Sequence, residues 1–556
     1  MADDSNWRDR EAAAVPRGVP LDPRAETVSG IAAFPTVYMP GHLLISGEPA
    51  GALERLGTAA EAFGWKLSPV VLRPPRKRER PRARGAQLTR VDIRPADGVV
   101  PPVPVDAWRL LQHARRRAVS GRAAVGAGGA PGVGRRLPVS PALSPTPDDP
   151  LRSVGLDHVL TLDDIGVNPF ARTNPFARTN PFARTNPFAR TNPAGELDSY
   201  ASAGSGGLEV VTYVGAAPAP TFSVQKEGRR PVVAVVDTGC GEHAWLPGPD
   251  GSDDPWVQAR LPSSTPPAVV GVDQAETDPE THPDQTGPRD GRLDAASGHG
   301  TFVCGIVRQA APDADILAVR VADSDGTVLE SELLTALDEL LELMDHGSDP
   351  LSLDVLNLSL GYYHETPEDG LFSTALYDLL VDFRQRGVVV VCSAGNDSTD
   401  RPAFPAALWE GSEPGLGLGP EPADLAPHVS VGALNPDRRS VALYSNIGGW
   451  VRLYAPGTSV VSTLPASFTG GLAPAARDDR HGLTRTMIDP DDFHGGFAIW
   501  SGTSFAAPYV AGLIAQGMAS QLTSGTRPET PTFDGLVTAL SPRELSVWDA
   551  SRPASR

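Results

Sequence analysis

Three polar residues, an aspartate, a histidine and a serine, each lie at the edge of an apolar segment, and they are far apart in the chain. The strings that contain them are VVDTG at 235–239, SGHGT at 297–301 and SGTSFAAP at 501–508. A carboxylate, an imidazole and a hydroxyl can together convert a weak nucleophile into one that attacks an acyl carbon. The residue types therefore predict acyl-transfer chemistry.

Asp237 follows the apolar, β-branched run 231–236, which predicts a buried parallel strand with a carboxylate at its carboxyl end. Sites collect at that end of open α/β sheets. Thr238 and Gly239 allow a sharp turn there. Taken alone, the string is equally compatible with an aspartate that caps a turn.

His299 lies between two glycines and precedes a short apolar helix. The glycines let other groups approach the imidazole closely, and a neutral histidine can take a proton from a hydroxyl and return it to a leaving amine. The alternative for any single histidine is a capping or core role. We assign that role to the histidines without comparable flanks, which are His243, His282, His364 and His494.

Ser504 begins a predicted helix that runs to about Leu522, and the residues around it are small. Small neighbours leave room for a substrate backbone, and the amino end of a helix favours negative charge that develops near the hydroxyl. An N-cap serine explains Ser504 equally well, but it does not explain why the whole run is small.

Asn396 follows the apolar strand predicted at 388–392 and the string Ser393-Ala394-Gly395. Its amide N–H can donate to the oxyanion of a tetrahedral intermediate. The alternative is an asparagine in a turn.

Together, these four strings resemble the subtilase family of serine peptidases over about residues 230–521, with the order Asp, His, Ser that subtilisin has. The resemblance implies a catalytic aspartate that orients the imidazole (Asp237), a general base and acid (His299), a nucleophile (Ser504) and an oxyanion donor (Asn396). The function so implied is that of a serine endopeptidase that works through an acyl-enzyme. The alternative is a catalytically idle or latent scaffold that recruits partners.

The same resemblance implies substrate-binding backbone at two places. The edge Ser359-Leu360-Gly361 would pair with the substrate as an added strand, and Ser393, Ala394 and Gly395 would line the cleft beside it. Protein or peptide substrates follow from this, and no cofactor is expected. Many subtilases carry structural calcium, but the sequence has no calcium-loop signature, so we assign no metal ligand.

The predicted fold is α/β, a subtilisin-like doubly wound parallel sheet of seven strands with helices on both faces. Apolar strands predicted at 231–236, 315–321, 353–360 and 388–394 support it. We expect five regions: a flexible tail (1–35), a small α+β module (36–165), a linker (166–229), the peptidase domain (230–525) and a carboxyl-terminal extension (526–556).

The amino-terminal module carries βα alternation, with strands predicted at 42–46, 87–94 and 156–162 and helices at 51–63 and 105–117. Its position before the peptidase domain is that of either a prodomain that assists folding and inhibits the site, or a recognition domain.

The linker contains the hexapeptide NPFART four times, at 168–191. Proline at every sixth residue blocks a helix, so we expect an extended, partly disordered segment with a possible partner for its regularly spaced phenylalanines.

Charge is distributed unevenly. Residues 1–230 carry a net charge of +8 and the remainder carries −27, within a total of −19. The basic, proline-broken run 73–84 lacks interleaved aromatic residues, so we expect a solvated linker and no nucleic-acid partner.

The sequence has neither a signal-peptide core nor a run of about 20 apolar residues, which predicts a cytoplasmic protein without a membrane partner. The three cysteines lie in apolar stretches and are expected to be buried and unpaired.

Overall fold

A computed structural model gives the fold of the protein. The residues that it describes are 17–28, 31–73, 87–98, 101–126, 149–162, 207–248, 256–258, 260–261, 268–287, 290–345, 350–366, 375–409, 418, 422, 424–526, 528–540 and 546–547. The NPFART repeat and most of the basic run lie outside the described residues.

The amino-terminal module is an antiparallel sheet covered by two helices. Its strands are Val19–Pro20 (β1), Val37–Ser46 (β2), Trp65–Arg73 (β3), Leu88–Pro95 (β4) and Val154–Leu162 (β5). Its helices are Ala50–Glu61 (α1), Ala107–Gly126 (α2) and the short 3-10 turn Pro150–Ser153. Strands β5, β2, β4 and β3 are neighbours in that order, which is the order of a split βαβ unit.

The second unit contains the remaining elements. Its strands are Glu209–Val211 (β6), Val232–Asp237 (β7), Val257–Gln258 (β8), Arg260–Leu261 (β9), Ala268–Val269 (β10), Asp315–Arg320 (β11), Thr327–Leu329 (β12), Val355–Leu358 (β13), Leu360–Gly361 (β14), Val389–Ser393 (β15), His428–Leu434 (β16), Leu453–Pro456 (β17), Val460–Thr463 (β18), Arg477–Arg480 (β19), Leu483–Thr486 (β20), Phe497–Trp500 (β21) and Ser546–Val547 (β22). Its helices are His299–Ala310 (α3), Glu330–Asp345 (α4), Ala375–Gln385 (α5), Thr503–Thr523 (α6) and Phe533–Ala539 (α7), with a 3-10 turn at Ala275–Thr277.

The central sheet of this unit has the strand order β22-β17-β16-β15-β13-β7-β11-β8 within the described residues. All neighbours pair in parallel except β22, which is antiparallel to β17. Helices α3 and α6 pack together on one face, and α4 and α5 pack together on the other. The prediction of a parallel α/β sheet is thereby confirmed, and the antiparallel edge strand β22 is an addition to it.

Apolar, β-branched strands account for this core. All four residues of β13 are buried, as are the last five residues of β7. Such continuous burial is expected of parallel strands covered on both faces. The module has an apolar core of its own, but Leu160 and Leu162 of β5 belong to the core of the second unit, where they are 0% and 2% exposed.

The structure differs from the sequence expectations at several boundaries. Strand β3 was not predicted; it contains Pro69 and several exposed residues, so it lacks the alternation that reveals a half-buried strand. Strand β1 pairs with β2, so part of the predicted tail packs onto the module. Likewise, β6 pairs with β21 and β22 joins the central sheet, which draws parts of the predicted linker and extension into the second unit.

Within the described ranges, no helix combines the length and apolar character needed to cross a bilayer.

Candidate active site

Asp237 and His299 form a buried hydrogen-bonded pair. Asp237 ends β7 and His299 is the first residue of α3. Nδ1 of His299 lies 2.7 Å from Oδ1 of Asp237, and both side chains are 0% exposed. The backbone N–H of Thr238 also donates to Oδ1 of Asp237, at 2.8 Å. This arrangement fixes the ring orientation and leaves Nε2 on the side away from the carboxylate.

Ser504 lies in the first turn of α6, and the residue that follows it packs near the histidine. The ring of its neighbour Phe505 has its centroid 5.3 Å from that of His299. The Ser504 side chain is buried, and its Oγ has no hydrogen-bond partner in the described part of the chain. Ser359 Oγ donates to the backbone carbonyl of Ser504 at 2.9 Å, which ties the start of the helix to the end of β13.

Asn396 is oriented by the residue that precedes the serine. Its Oδ1 accepts hydrogen bonds from the backbone N–H and the hydroxyl of Thr503, at 3.0 and 2.9 Å. Its Nδ2 is buried and has no partner among the described residues. Since the amide oxygen is held by Thr503, the amide N–H groups are left to serve as donors to another group.

The predicted segment 393–395 is arranged by the same contacts. The Gly395 N–H donates to Thr503 Oγ1 at 3.1 Å, and the Ala394 carbonyl accepts from Asn446 at 2.8 Å. Ser393, at the end of β15, is 2% exposed. The peptide bond between Phe404 and Pro405 is cis.

Strand β5 of the module occupies the edge expected to bind substrate. Leu360 and Gly361 of β14 are the antiparallel partners of Leu162 and Thr161. On its other side β5 pairs with β12 over Thr327–Leu329, also antiparallel. The end of the module thus lies between two strands of the second unit as an added strand, which is the geometry of β-augmentation.

A buried carboxyl, Glu280, lies behind the Asp237–His299 pair and was missed by the sequence reasoning. Its Oε1 lies 2.5 Å from Thr238 Oγ1, and its Oε2 lies 2.5 Å from Thr301 Oγ1. Burial raises the pKa of Glu280 to about 7, although the two threonine hydroxyls oppose the shift. Glu280 lies in the acidic insert 245–296, where no local pattern distinguishes it from its surface neighbours.

A second buried cluster joins the module to the second unit and was also missed. His158 of β5 lies between Glu330 and Glu365, with Nδ1 2.6 Å from the former and Nε2 2.7 Å from the latter. The ring stacks on Tyr362 at a centroid distance of 4.5 Å. Burial favours the neutral ring, but the carboxylates of Glu365 and Glu330 outweigh burial and raise the pKa of His158 to about 10. The cluster is therefore an ion pair across the interface.

Calcium does not suit this cluster. In the described ranges, the group of His158, His364 and Glu365 brings three candidate ligand atoms within 4.8 Å of one another. Two of the three side chains are imidazoles, whereas calcium takes oxygen ligands. Structural calcium, which enters only through the family resemblance, therefore has no assigned site among the described residues.

Comparison with known proteins gives a family match over the second unit. The model of the Subtilase family matches residues 228–533. An intracellular serine protease of Paenibacillus polymyxa is 26% identical over 315 residues, which cover 53% of this chain and 69% of that protein. Subtilisin NAT of Bacillus subtilis subsp. natto is 26% identical over 268 residues, 47% of this chain and 53% of that protein.

One further curated relative and one solved structure are also similar to this chain. A thermophilic serine proteinase of Bacillus sp. (strain AK1) is 30% identical over 227 residues, which are 39% of this chain and 41% of that protein. Among solved structures, a cold adapted subtilisin-like serine proteinase is similar with a TM-score of 0.31 and 22% identity, over 56% of this chain and 88% of that one. The chain thus spans 53% of the length of subtilisin NAT and 41% of the length of the thermophilic serine proteinase.

Proposed function

The chain belongs to the subtilase family, and from that premise we propose that it is a serine endopeptidase that hydrolyses peptide bonds through an acyl-enzyme intermediate. The observation that carries the proposal is the buried contact of 2.7 Å between His299 Nδ1 and Asp237 Oδ1, next to the helix start that bears Ser504. A carboxylate on Nδ1 holds the proton there, so that Nε2 is the basic nitrogen.

The reaction would proceed in two stages. Ser504 Oγ attacks the substrate carbonyl carbon while His299 takes the hydroxyl proton, and the protonated imidazole then gives that proton to the leaving amine. Asn396 Nδ2 donates to the oxyanion of the tetrahedral intermediate. Water attacks the resulting ester with His299 again as the base, which releases the acid product and restores Ser504.

Protein or peptide chains would bind as an added strand. In this proposal the substrate backbone takes the place that β5 occupies between β12 and β14, with main-chain hydrogen bonds to Leu360–Gly361. Ser393, Ala394 and Gly395 would line the same cleft on the side of Asn396.

The module would therefore be an inhibitory domain, held in cis. The pairing of Thr161 with Gly361 supports this role over recruitment, because a strand in that position excludes a substrate strand. Assistance in folding is compatible with the same contact. The scaffold alternative has no observation in its favour.

A fluorophosphonate probe tests both proposals. The full chain, with an engineered cleavage site placed between residues 192 and 206, is labelled before and after cutting. We expect weak labelling before the cut and strong labelling after release of the module, and none in Ser504→Ala. Ser524→Ala, which removes an exposed serine near the end of α6, is the matched control and should label normally.

Two results would contradict the proposals separately. Folded, cut protein that does not react with the probe would favour the idle scaffold. Equal labelling before and after release would remove the inhibitory role but keep the peptidase. Recruitment predicts a third pattern, in which cutting lowers cleavage of a protein substrate while small peptides are unaffected.

We also infer that the protein acts in the cytoplasm. The name of the Paenibacillus polymyxa relative, an intracellular serine protease, supports this inference. Fractionation of cells that carry the Ser504→Ala chain tests it, and recovery of the protein in the medium would contradict it.

A further inference from the structure

Glu280 contacts both segments that carry the Asp237–His299 pair. Besides the two threonine contacts at 2.5 Å, its Oε1 accepts from the backbone N–H of Gly300 at 3.1 Å. Thr238 directly follows Asp237, and Gly300 and Thr301 directly follow His299. A single buried carboxyl therefore links the end of β7 to the first turn of α3.

The Thr238 hydroxyl has one hydrogen and two acceptors. Its Oγ1 lies 2.5 Å from Glu280 Oε1 and 3.3 Å from Asp237 Oδ1, and it accepts from the Gly300 N–H at 2.8 Å. When Glu280 is ionised, the hydroxyl donates to it. When a proton from solvent is bound at Oε1, the carboxyl O–H donates to Thr238, and the threonine hydrogen is free to donate to Asp237.

We propose that Glu280 is a positioning residue whose protonation state sets the hydrogen bonding and the charge around the Asp237–His299 pair through Thr238. The inference rests on the proposed function, since it assigns no contact between Glu280 and a substrate. It adds control of the Asp237–His299 pair by pH, through a residue that does not itself contact the substrate.

Burial, more than the surrounding charges, places the titration of Glu280 in the neutral range. Burial raises the pKa of Glu280 to about 7, hydrogen bonds from Thr238 and Thr301 oppose the shift, and the negative charges of Asp278 and Asp237 add to it. The other titratable or charged groups that act with Glu280 belong to β11, to α3 and to the segment after β7; they are Arg320, Cys304 and its neighbour Cys240.

The effect on His299 has a definite sign. An ionised Glu280 adds a second negative charge beside Asp237, and it also takes the Thr238 hydrogen away from that carboxylate. Both changes favour the imidazolium form of His299, so that they raise its pKa. Replacement of Glu280 by glutamine removes the charge, while its amide keeps one donor and one acceptor for the two threonines.

The test measures the His299 titration by NMR and does not depend on activity. The full chain with Ser504→Ala and labelled histidine is titrated from pH 5 to 9, and the His299 signal is assigned by its loss in His299→Gln. We expect the His299 midpoint to fall by about half a pH unit or more in Glu280→Gln. Glu276→Gln, which removes an exposed carboxylate from the same loop, should leave the midpoint unchanged.

A second variant separates the hydrogen-bond path through Thr238 from the loss of the negative charge at Glu280. In the parent chain we expect the His299 Nδ1–H resonance to show a second inflection near pH 7, where Glu280 titrates. Thr238→Val deletes the hydroxyl, so we expect this second inflection to weaken while Glu280 remains. A parent chain with a single inflection, or a Glu280→Gln midpoint equal to that of the parent, would overturn the inference. Either result would leave the proposed peptidase activity untouched, because labelling by the fluorophosphonate probe is measured separately.

Discussion

His158 Nε2 lies 2.7 Å from Glu365 Oε2, and this contact joins the amino-terminal module to the second unit through two fully buried side chains. Glu330 binds the other ring nitrogen at 2.6 Å. The imidazolium of His158 is thus paired with a carboxylate on both sides. Removal of one partner from a buried ion pair leaves an uncompensated buried charge.

The first prediction is that the module is released at alkaline pH. The pKa of His158 is about 10 in the docked state, above the ordinary value of 6.5. A pKa raised by docking contributes stability that is complete below pH 6.5 and is lost as the pH rises through about 10. After the linker is cut, we expect the module to stay bound at pH 6.5 and to dissociate increasingly toward pH 10, measured by size-exclusion chromatography.

The matched controls for this prediction are two histidine variants. The cut module with His158→Gln should bind the second unit weakly at every pH, and its binding should not decline further at alkaline pH. His113→Gln, in helix α2 of the same module and packed against Phe63, should keep the decline. An undiminished decline in His158→Gln would assign the pH dependence to another group.

The second prediction concerns Leu160, which anchors β5 in the core of the second unit and is 0% exposed. Leu160→Ala leaves a cavity, and such a change costs about 2–5 kcal/mol. Since the lost contacts exist only when β5 is docked, we expect higher peptidase activity of the uncut chain on a small peptide. Val71→Ala, at a 54% exposed position of β3, should leave the activity low. An unchanged activity in Leu160→Ala would argue against inhibition by β5.

The third prediction concerns the oxyanion. In cut protein freed of its module, Asn396→Ala should lower kcat about 10²- to 10³-fold with little change in KM, because the donor acts mainly in the transition state. The magnitude is the one known for such a donor in subtilisin, so it is inherited from the family. Asn435→Ala, at a half-buried position directly before an exposed turn, should have normal kinetics. A raised KM with an unchanged kcat would rule out the assigned role.

The fourth prediction concerns the close approach of α3 to the end of β7. A Cβ at Gly300 would lie 2.1 Å from the Gly239 carbonyl oxygen, so Gly300→Ala must push the two segments apart. Overpacking of this kind costs about 1–3 kcal/mol. Gly517→Ala, in helix α6 with no atom within 4 Å of the new Cβ, should instead stabilise the protein by about 0.5–1 kcal/mol. Thermal unfolding compares the two, and equal Tm values would contradict the expectation.

The sequence by itself determined the parallel sheet and the local position of each candidate residue. Runs such as 231–236 predict a buried strand because burial on both faces requires continuous apolar side chains, and β7 is found at Val232–Asp237. The small residues around Ser504 and the glycines around His299 are likewise local signals. These features depend on neighbours in the chain, so that pattern and spacing are enough to find them.

Only the tertiary structure decided which distant groups meet. Glu280 is one of many acidic residues in its insert, and it becomes a buried carboxyl with a pKa of about 7 only because Thr238 and Thr301 close over it. His158 is 172 residues from Glu330 and 207 from Glu365, and no local pattern records such separations. The placement of β5 between β12 and β14 was also decided by tertiary contacts. Any strand with free backbone groups could pair at that place. Packing of Leu160 and Leu162 into the larger core selects β5.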